Sequence, residues 1–193
     1  MQKEEIINHF QSKVPITTDD INCFFDLVEF KSVKKNEHIV RQGDSSLYFI
    51  LIKSGCLMTY FKDKHDHKHA IQFGQDMWWT GDLDAIFNSH ESSYSVKAIM
   101  PSEVYLLSKE NFEQLIQKCP VFEKYFRILY QNALISHQKR IIRNISYTAE
   151  EKYLEFVKIH PRLELIVPQK YIASYMGITP EFLSKLKRKL AQS

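Results

Sequence analysis

The chain has 193 residues, 44% hydrophobic and 25% charged, with five Gly and six Pro; such a composition buries a core and excludes a disordered chain. No apolar run reaches the ~20 residues needed to cross a bilayer, and the opening MQKEEIINHF lacks the layout of a secretion signal, so a cytoplasmic protein without membrane contact is expected. The net charge of +3 is unevenly spread: residues 139–193 hold eleven basic and five acidic side chains, leaving the rest net negative, and a basic tail on an acidic body points to a polyanionic partner.

Three widely spaced cysteines, Cys23, Cys56 and Cys119, argue against a disulfide framework or a CxxC metal knuckle and fit reduced, buried thiols. Residues 3–11 and 18–30 carry helical apolar spacing, with Thr18 or Asp19 placed to cap the second helix. From about residue 31 the period becomes that of strands. His38–Val40, Leu47–Ile52, Cys56–Phe61, Ala70–Phe73, Ser93–Ile99 and Glu103–Leu107 are short β-branched and aromatic runs. Turns such as Gln42-Gly43-Asp44 and Ser54-Gly55 separate them, as in a small antiparallel barrel or sandwich. Ser108 caps a helix whose apolar face is Phe112, Leu115 and Ile116. Pro120 opens a long helical segment to about Ile145, uninterrupted by Gly or Pro; about 24 residues give roughly 36 Å of helix. A stripe that long needs a partner, either the sheet domain or the same helix of a second subunit. Thr148 then caps a helix with Glu150 and Glu151 in its first turn, running to about His160, where Pro161 stops it.

The tail from Val167 to Leu190 reads as two helices meeting at a tight turn. Pro168 lies near the first start, and Ala173 permits close approach. Gly177 takes a left-handed turn, Thr179 caps the second helix and Pro180 fills its first position. With Ile172, Met176, Ile178, Leu183 and Leu186 inward, this is a helix-turn-helix. Its second helix would lie in the major groove. Glu181, Ser184 and Lys185 are the candidate base readers. Lys187, Arg188 and Lys189 would contact phosphates, with Thr179, Gln169 and Tyr171 near the backbone as well.

Taken together, the stretch His38-Ile-Val-Arg-Gln-Gly-Asp44…Tyr48-Phe-Ile-Leu…Ser54-Gly55 and the tail Ile172-Ala-Ser-Tyr-Met-Gly-Ile-Thr-Pro-Glu-Phe-Leu-Ser-Lys185 resemble the Crp/Fnr family of bacterial regulators. The resemblance covers nearly the whole chain. It implies an α+β fold: an antiparallel, cyclic-nucleotide-binding-like β-roll with flanking helices over 1–118, a long dimerisation helix over 119–145, and a helix-turn-helix DNA-binding domain over 146–193. Glu181, Ser184 and Lys185 match the Glu–Ser–Arg reading set of the Fnr branch, with Lys for Arg; a lysine lacks the rigid bidentate fork, which alters site preference. The sequence ends just after the recognition helix, so the family's C-terminal wing is expected to be missing.

In cyclic-nucleotide binders of the family a Gly-Glu turn holds the ribose and an Arg-Ser pair the phosphate. Here Gly81-Asp82-Leu83 and Ser92-Ser93 fall at those places. Ser92 cannot neutralise a phosphate, and strand alternation points nearby Lys97 elsewhere, so weak or no binding of cyclic AMP is expected. The same pocket could take an unknown small effector, with Tyr94 and the aromatic Trp78, Trp79 and Phe87 around it and His137 and Gln138 from the long helix; the alternative is that these side chains only pack the roll. His65, His67 and His69 are a weak metal candidate at a hairpin tip, and no other cofactor is indicated. Neither a nucleophile elbow, a phosphate-cradling Gly loop nor HExxH occurs, so no enzyme is expected. The expected function is a dimeric, sequence-specific DNA-binding transcription regulator, with double-stranded DNA, a second copy and RNA polymerase as partners. The rival reading is a sensor or interaction module whose helical tail no longer binds DNA.

Overall fold

A computed structural model describes residues 2–192. Helices α1 (Gln2–Gln11) and α2 (Thr18–Leu27) precede strands β1 (Glu29–Val33), β2 (His38–Val40), β3 (Phe49–Ser54), β4 (Leu57–Lys62), β5 (Lys68–Gly74) and β6 (Trp79–Thr80). The short helix α3 (Leu83–Asn88) and strands β7 (Ser95–Ala98) and β8 (Ser102–Leu107) complete the roll. Then follow α4 (Lys109–Lys118), α5 (Val121–Ser146), α6 (Ala149–Ile159), α7 (Pro161–Ile166), α8 (Gln169–Met176) and α9 (Pro180–Ala191).

The strands form two antiparallel sheets, ordered β1-β8-β3-β6 and β2-β7-β4-β5. Strand alternation sorts their side chains into three apolar layers. Between the sheets lie Val40, Ile50, Ile52, Leu57, Val96, Ala98 and Leu106. On the outer face of the first sheet, Phe49, Leu51 and Leu107 meet α1, α2, α4 and the start of α5 through Phe10, Phe24, Leu115 and Phe122. On the outer face of the second sheet, Cys56, Met58, Tyr60, Ala70 and Phe73 share one cluster with Tyr153, Phe156, Ile172, Ala173, Met176, Leu183 and Leu186 of the C-terminal helices. The roll is therefore sandwiched between the N-terminal helices and the C-terminal domain.

Several boundaries differ from the sequence expectation. The cap of α2 is Thr17, whose hydroxyl accepts from Asp20 N while Asp20 accepts from Thr17 N, a reciprocal capping box. The apolar spacing read as helix through residue 30 ends at Leu27, because Glu29–Val33 pair with β8. Pro161 ends α6 and also opens α7 at its first position, where a missing N–H costs nothing. Cys56 and Cys119 are buried free thiols and Cys23 is partly buried. Among the described residues, no helix is long and apolar enough to cross a membrane.

Helix α5 changes environment along its 26 residues, about 39 Å. Phe122, Tyr125 and Phe126 are buried on the roll; Tyr125 Oη accepts from the Trp79 indole at 2.9 Å and lies 2.8 Å from His9 Nε2. Beyond Tyr130, Leu134, Ile135, Ile141, Ile142 and Ile145 stand 42 to 81% exposed.

Candidate nucleic-acid interface

The helix-turn-helix is built by local rules. Gly177 sits at φ 71°, ψ 31°, a left-handed conformation that glycine adopts without penalty. Nothing lies within 4 Å of where a Cβ would stand, so the constraint is the backbone angle and not space. Thr179 is extended, its hydroxyl accepts from Phe182 N at 3.2 Å, and Pro180 follows at the first helical position. Leu183 and Leu186 bury one side of α9.

On its opposite side Glu181, Ser184, Lys185 and Arg188 are exposed, as their spacing of three and four residues requires. None of the four has a side-chain partner among the described residues. Thr179 is exposed at the same end. Lys189, also exposed, pairs with Glu150 at 3.0 Å.

Lys187 differs. Its ammonium donates to Glu164 of α7, which also accepts from Tyr153 Oη at 3.2 Å. The Lys187 hydrogen bond, with further ones from Tyr153 and Gln169, holds the Glu164 carboxyl below its ordinary range. The expectation of a free, phosphate-binding Lys187 is thus corrected: position 187 lies at the flank of the buried stripe and ties α9 to α7. Gln169 is exposed but serves the same carboxylate.

Tyr171 also departs from its expected place at a DNA backbone. It is half-buried against the roll, where Lys97 Nζ donates to its hydroxyl at 3.0 Å and lies 4.8 Å from its ring centroid. Burial pushes the Tyr171 phenol up, but the Lys97 hydrogen bond and the charges of Lys97, Lys170 and Lys68 bring it below its ordinary value. The seam continues at β5. Residues Tyr60↔Ala70 and Thr59↔Gln72 pair across a bulge, which leaves Ile71 unpaired. Arg140 of α5 donates to the Ile71 carbonyl and stacks 4.1 Å over the Tyr175 ring. Ser174 of α8 donates to Lys68 O at 2.9 Å and accepts from Ala70 N at 3.0 Å. One sequence signal could have found this seam: Lys97, 5% exposed, is a lone charge in an apolar strand, and strand alternation places it opposite Val96 and Ala98.

Inside the roll, Gly81 has φ 150°, and a Cβ there would stand 2.8 Å from Tyr48 O. The next residue, Asp82, is 4% exposed. Its Oδ1 accepts from Ala85 N and caps α3, while its Oδ2 accepts from Ser93 N at 2.8 Å and lies 3.1 Å from Ser92 Oγ. The carboxylate is thus satisfied by the chain itself, and no cation pairs with it among the described residues. Leu83 is exposed, and Tyr94 N donates to Ser92 Oγ. His137 and Gln138 are exposed on α5, away from this cradle's hydrogen bonds. Trp78, Trp79 and Phe87 do not make one rim: Trp79 packs on Phe126, Trp78 on His160, and Phe87 on Phe49 and Phe112.

The hairpin tip is a hydrogen-bonded turn. Asp63 Oδ1 accepts from the backbone of His65 and His67, and its Oδ2 lies 2.8 Å from His69 Nε2. His69 stacks on Phe61 at 4.7 Å, His67 Nδ1 lies 3.5 Å from the same Asp63 Oδ2, and the rings of His65 and His67 are exposed. Among the described residues no group of three metal-ligating side chains converges, which corrects the metal candidate at this tip.

Residues 30–119 match the family of the cyclic nucleotide-binding domain. That stretch is a little under half of the chain and is similar to this family, and the chain has the fold of the Crp/Fnr regulators. CLP of Xanthomonas campestris, described as a c-di-GMP-responsive global regulator, superposes with a TM-score of 0.72 over 91% of this chain and 92% of its own, at 14% identity. FixK2 of Bradyrhizobium japonicum gives 0.73 over 86% and 85%, at 16% identity. A Eubacterium rectale protein described as a transcriptional regulator of the Crp/Fnr family gives 0.72 over 91% and 84%, at 16%. At these identities the likeness is one of fold. A comparison with curated proteins finds no match in sequence. Within residues 30–119, the cradle formed by Asp82, Ser92 and Ser93 holds a carboxylate and, among the described residues, no cation paired with it.

Proposed function

We propose that the chain is a cytoplasmic, homodimeric transcription regulator of the Crp/Fnr type that binds double-stranded DNA sequence-specifically and is not an enzyme. Its parts are a sensor domain over 1–118, a dimerisation helix over 119–145 and a DNA-binding domain over 146–193. The observation that carries this reading is the outward side of α9, where Glu181, Ser184, Lys185 and Arg188 stand exposed and unengaged on a well-capped helix. Glu181 accepts from cytosine N4, Lys185 donates to guanine O6 or N7, and Ser184 suits either; Arg188 and Lys189 meet phosphates. The unpartnered stripe from Leu134 to Ile145 supports pairing of two α5 helices. Such a dimer sets two recognition helices about 34 Å apart on a two-fold site. RNA polymerase is a further proposed partner.

Selection from a randomised duplex pool with the full-length protein tests the reading. An inverted repeat is expected, and Lys185→Ala should relax preference at one base pair per half-site by about 1–3 kcal/mol. Enrichment of no sequence would remove the proposal.

The roll is not proposed as a cyclic AMP receptor. A cyclic phosphate entering the cradle would meet the Asp82 carboxylate and no cation, and would have to displace it from Ser93 N. An anion without its charge-assisted partner in a buried site is disfavoured. Calorimetry with cyclic AMP should show no binding below millimolar concentrations; a micromolar constant would contradict this. Any small molecule that acts through the roll would shift the population of DNA-competent orientations.

A further inference from the structure

We infer that Phe182 reads a thymine methyl group in the major groove. This rests on the DNA-binding reading of α9 and deepens it, since Phe182 is neither acceptor nor donor and lies outside the polar reading set. It occupies the first turn of α9, the part of a recognition helix whose side chains reach base edges. Its ring is 51% exposed. It is not needed to hold the helix, because Leu183 and Leu186 make the buried contact.

Other exposed phenylalanines in this chain have partners. Phe30 lies under Lys53 at 5.0 Å, Phe61 stacks on His69, and Phe87 packs against Phe49 and Phe112. Among the described residues Phe182 has no ring or cation partner. At 100° per residue it projects beside Lys185, on the flank of the outward side and not at its centre. The thymine C5 methyl is the apolar group that the major groove offers, and phenylalanine is among the side chains that contact it. That methyl sits toward the rim of the groove, next to its own backbone. A side chain on the flank of the helix meets it there while Glu181 and Lys185 address base edges farther in.

The test uses the duplex obtained by selection with the full-length protein. Each thymine is replaced in turn by deoxyuridine, which removes the methyl and leaves every hydrogen-bonding group in place. The wild type should lose about fourfold in affinity per half-site at one position, the effect of one buried methyl group. Phe182→Ala should bind the thymine and deoxyuridine duplexes equally, and Phe182→Leu should retain part of the discrimination. Because the ring is half-exposed, both variants should keep the wild-type Tm, which excludes loss of fold as the cause. Indifference of the wild type to deoxyuridine at every position, or unchanged discrimination in Phe182→Ala, would overturn the inference while leaving DNA binding intact. A protein that selects no sequence would overturn both.

Discussion

The ammonium of Lys187 lies on Glu164, whereas Arg188, one residue further, faces solvent without a partner among the described residues. The two cations therefore have different jobs, although they look alike in the run Lys185-Leu-Lys-Arg-Lys189. Lys187→Ala should cost about 1 kcal/mol of stability by leaving the mostly buried Glu164 carboxylate short of a partner, lowering Tm by ~3 °C. The salt dependence of DNA binding should stay as in the wild type. Arg188→Ala should do the reverse, leaving Tm unchanged and reducing the salt slope by about one unit. Equal effects of both on DNA affinity, read by fluorescence anisotropy, would contradict the assignment. The basic character of α9 was legible in the sequence, but the division of labour was not. It depends on Glu164, 23 residues earlier, and on the flank position that α7 happens to cover.

At the scale of elements, the apolar stripe of α5 has a seven-residue recurrence, Leu134 to Ile141 and Ile135 to Ile142, which suits a parallel or crossing copy of the same helix. Ile141→Glu should give a monomer by sedimentation. Operator affinity should fall on the order of 10- to 100-fold, because two half-sites would no longer be bound by one particle. A dimer of unchanged affinity would show that the stripe is covered by something else. Helices with strong punctuation were readable from sequence: Ser108, Thr148 and Thr179 each cap the helix assigned to them. Short elements were not. The two residues of β6, the six of α3 and the six of α7 are too brief to display a period, and their existence depends on β3, on Asp82 and on Pro161. The N-cap of α2 was placed one or two residues late because Thr17, Thr18 and Asp19 are all capping residue types, and only the reciprocal bond between Thr17 and Asp20 singles out Thr17.

For the whole molecule, the seam between roll and C-terminal domain is the feature that periodicity could not reach. It is made of single contacts between distant segments: Lys97 with Tyr171, Ser174 with the β5 backbone, and Arg140 with the carbonyl freed by the bulge. These contacts fix where α8, and through it α9, sits relative to α5, so in the proposed dimer the spacing of the two α9 helices would be set by the roll. The candidate DNA-reading face was legible because a capped helix projects residues by spacing alone. The pocket was legible only in part: the missing phosphate-binding arginine was visible, but not the closure of the cradle by Asp82 itself, which requires Ser93 to lie beside it in space. The central claim, that the outward side of α9 meets a DNA duplex, is tested most directly by measuring the affinity of the full-length protein for its selected duplex across a range of salt concentrations. Neutralising six to ten phosphates should make log affinity fall linearly with log salt, with a slope of about −5 to −9; a flat dependence would contradict it.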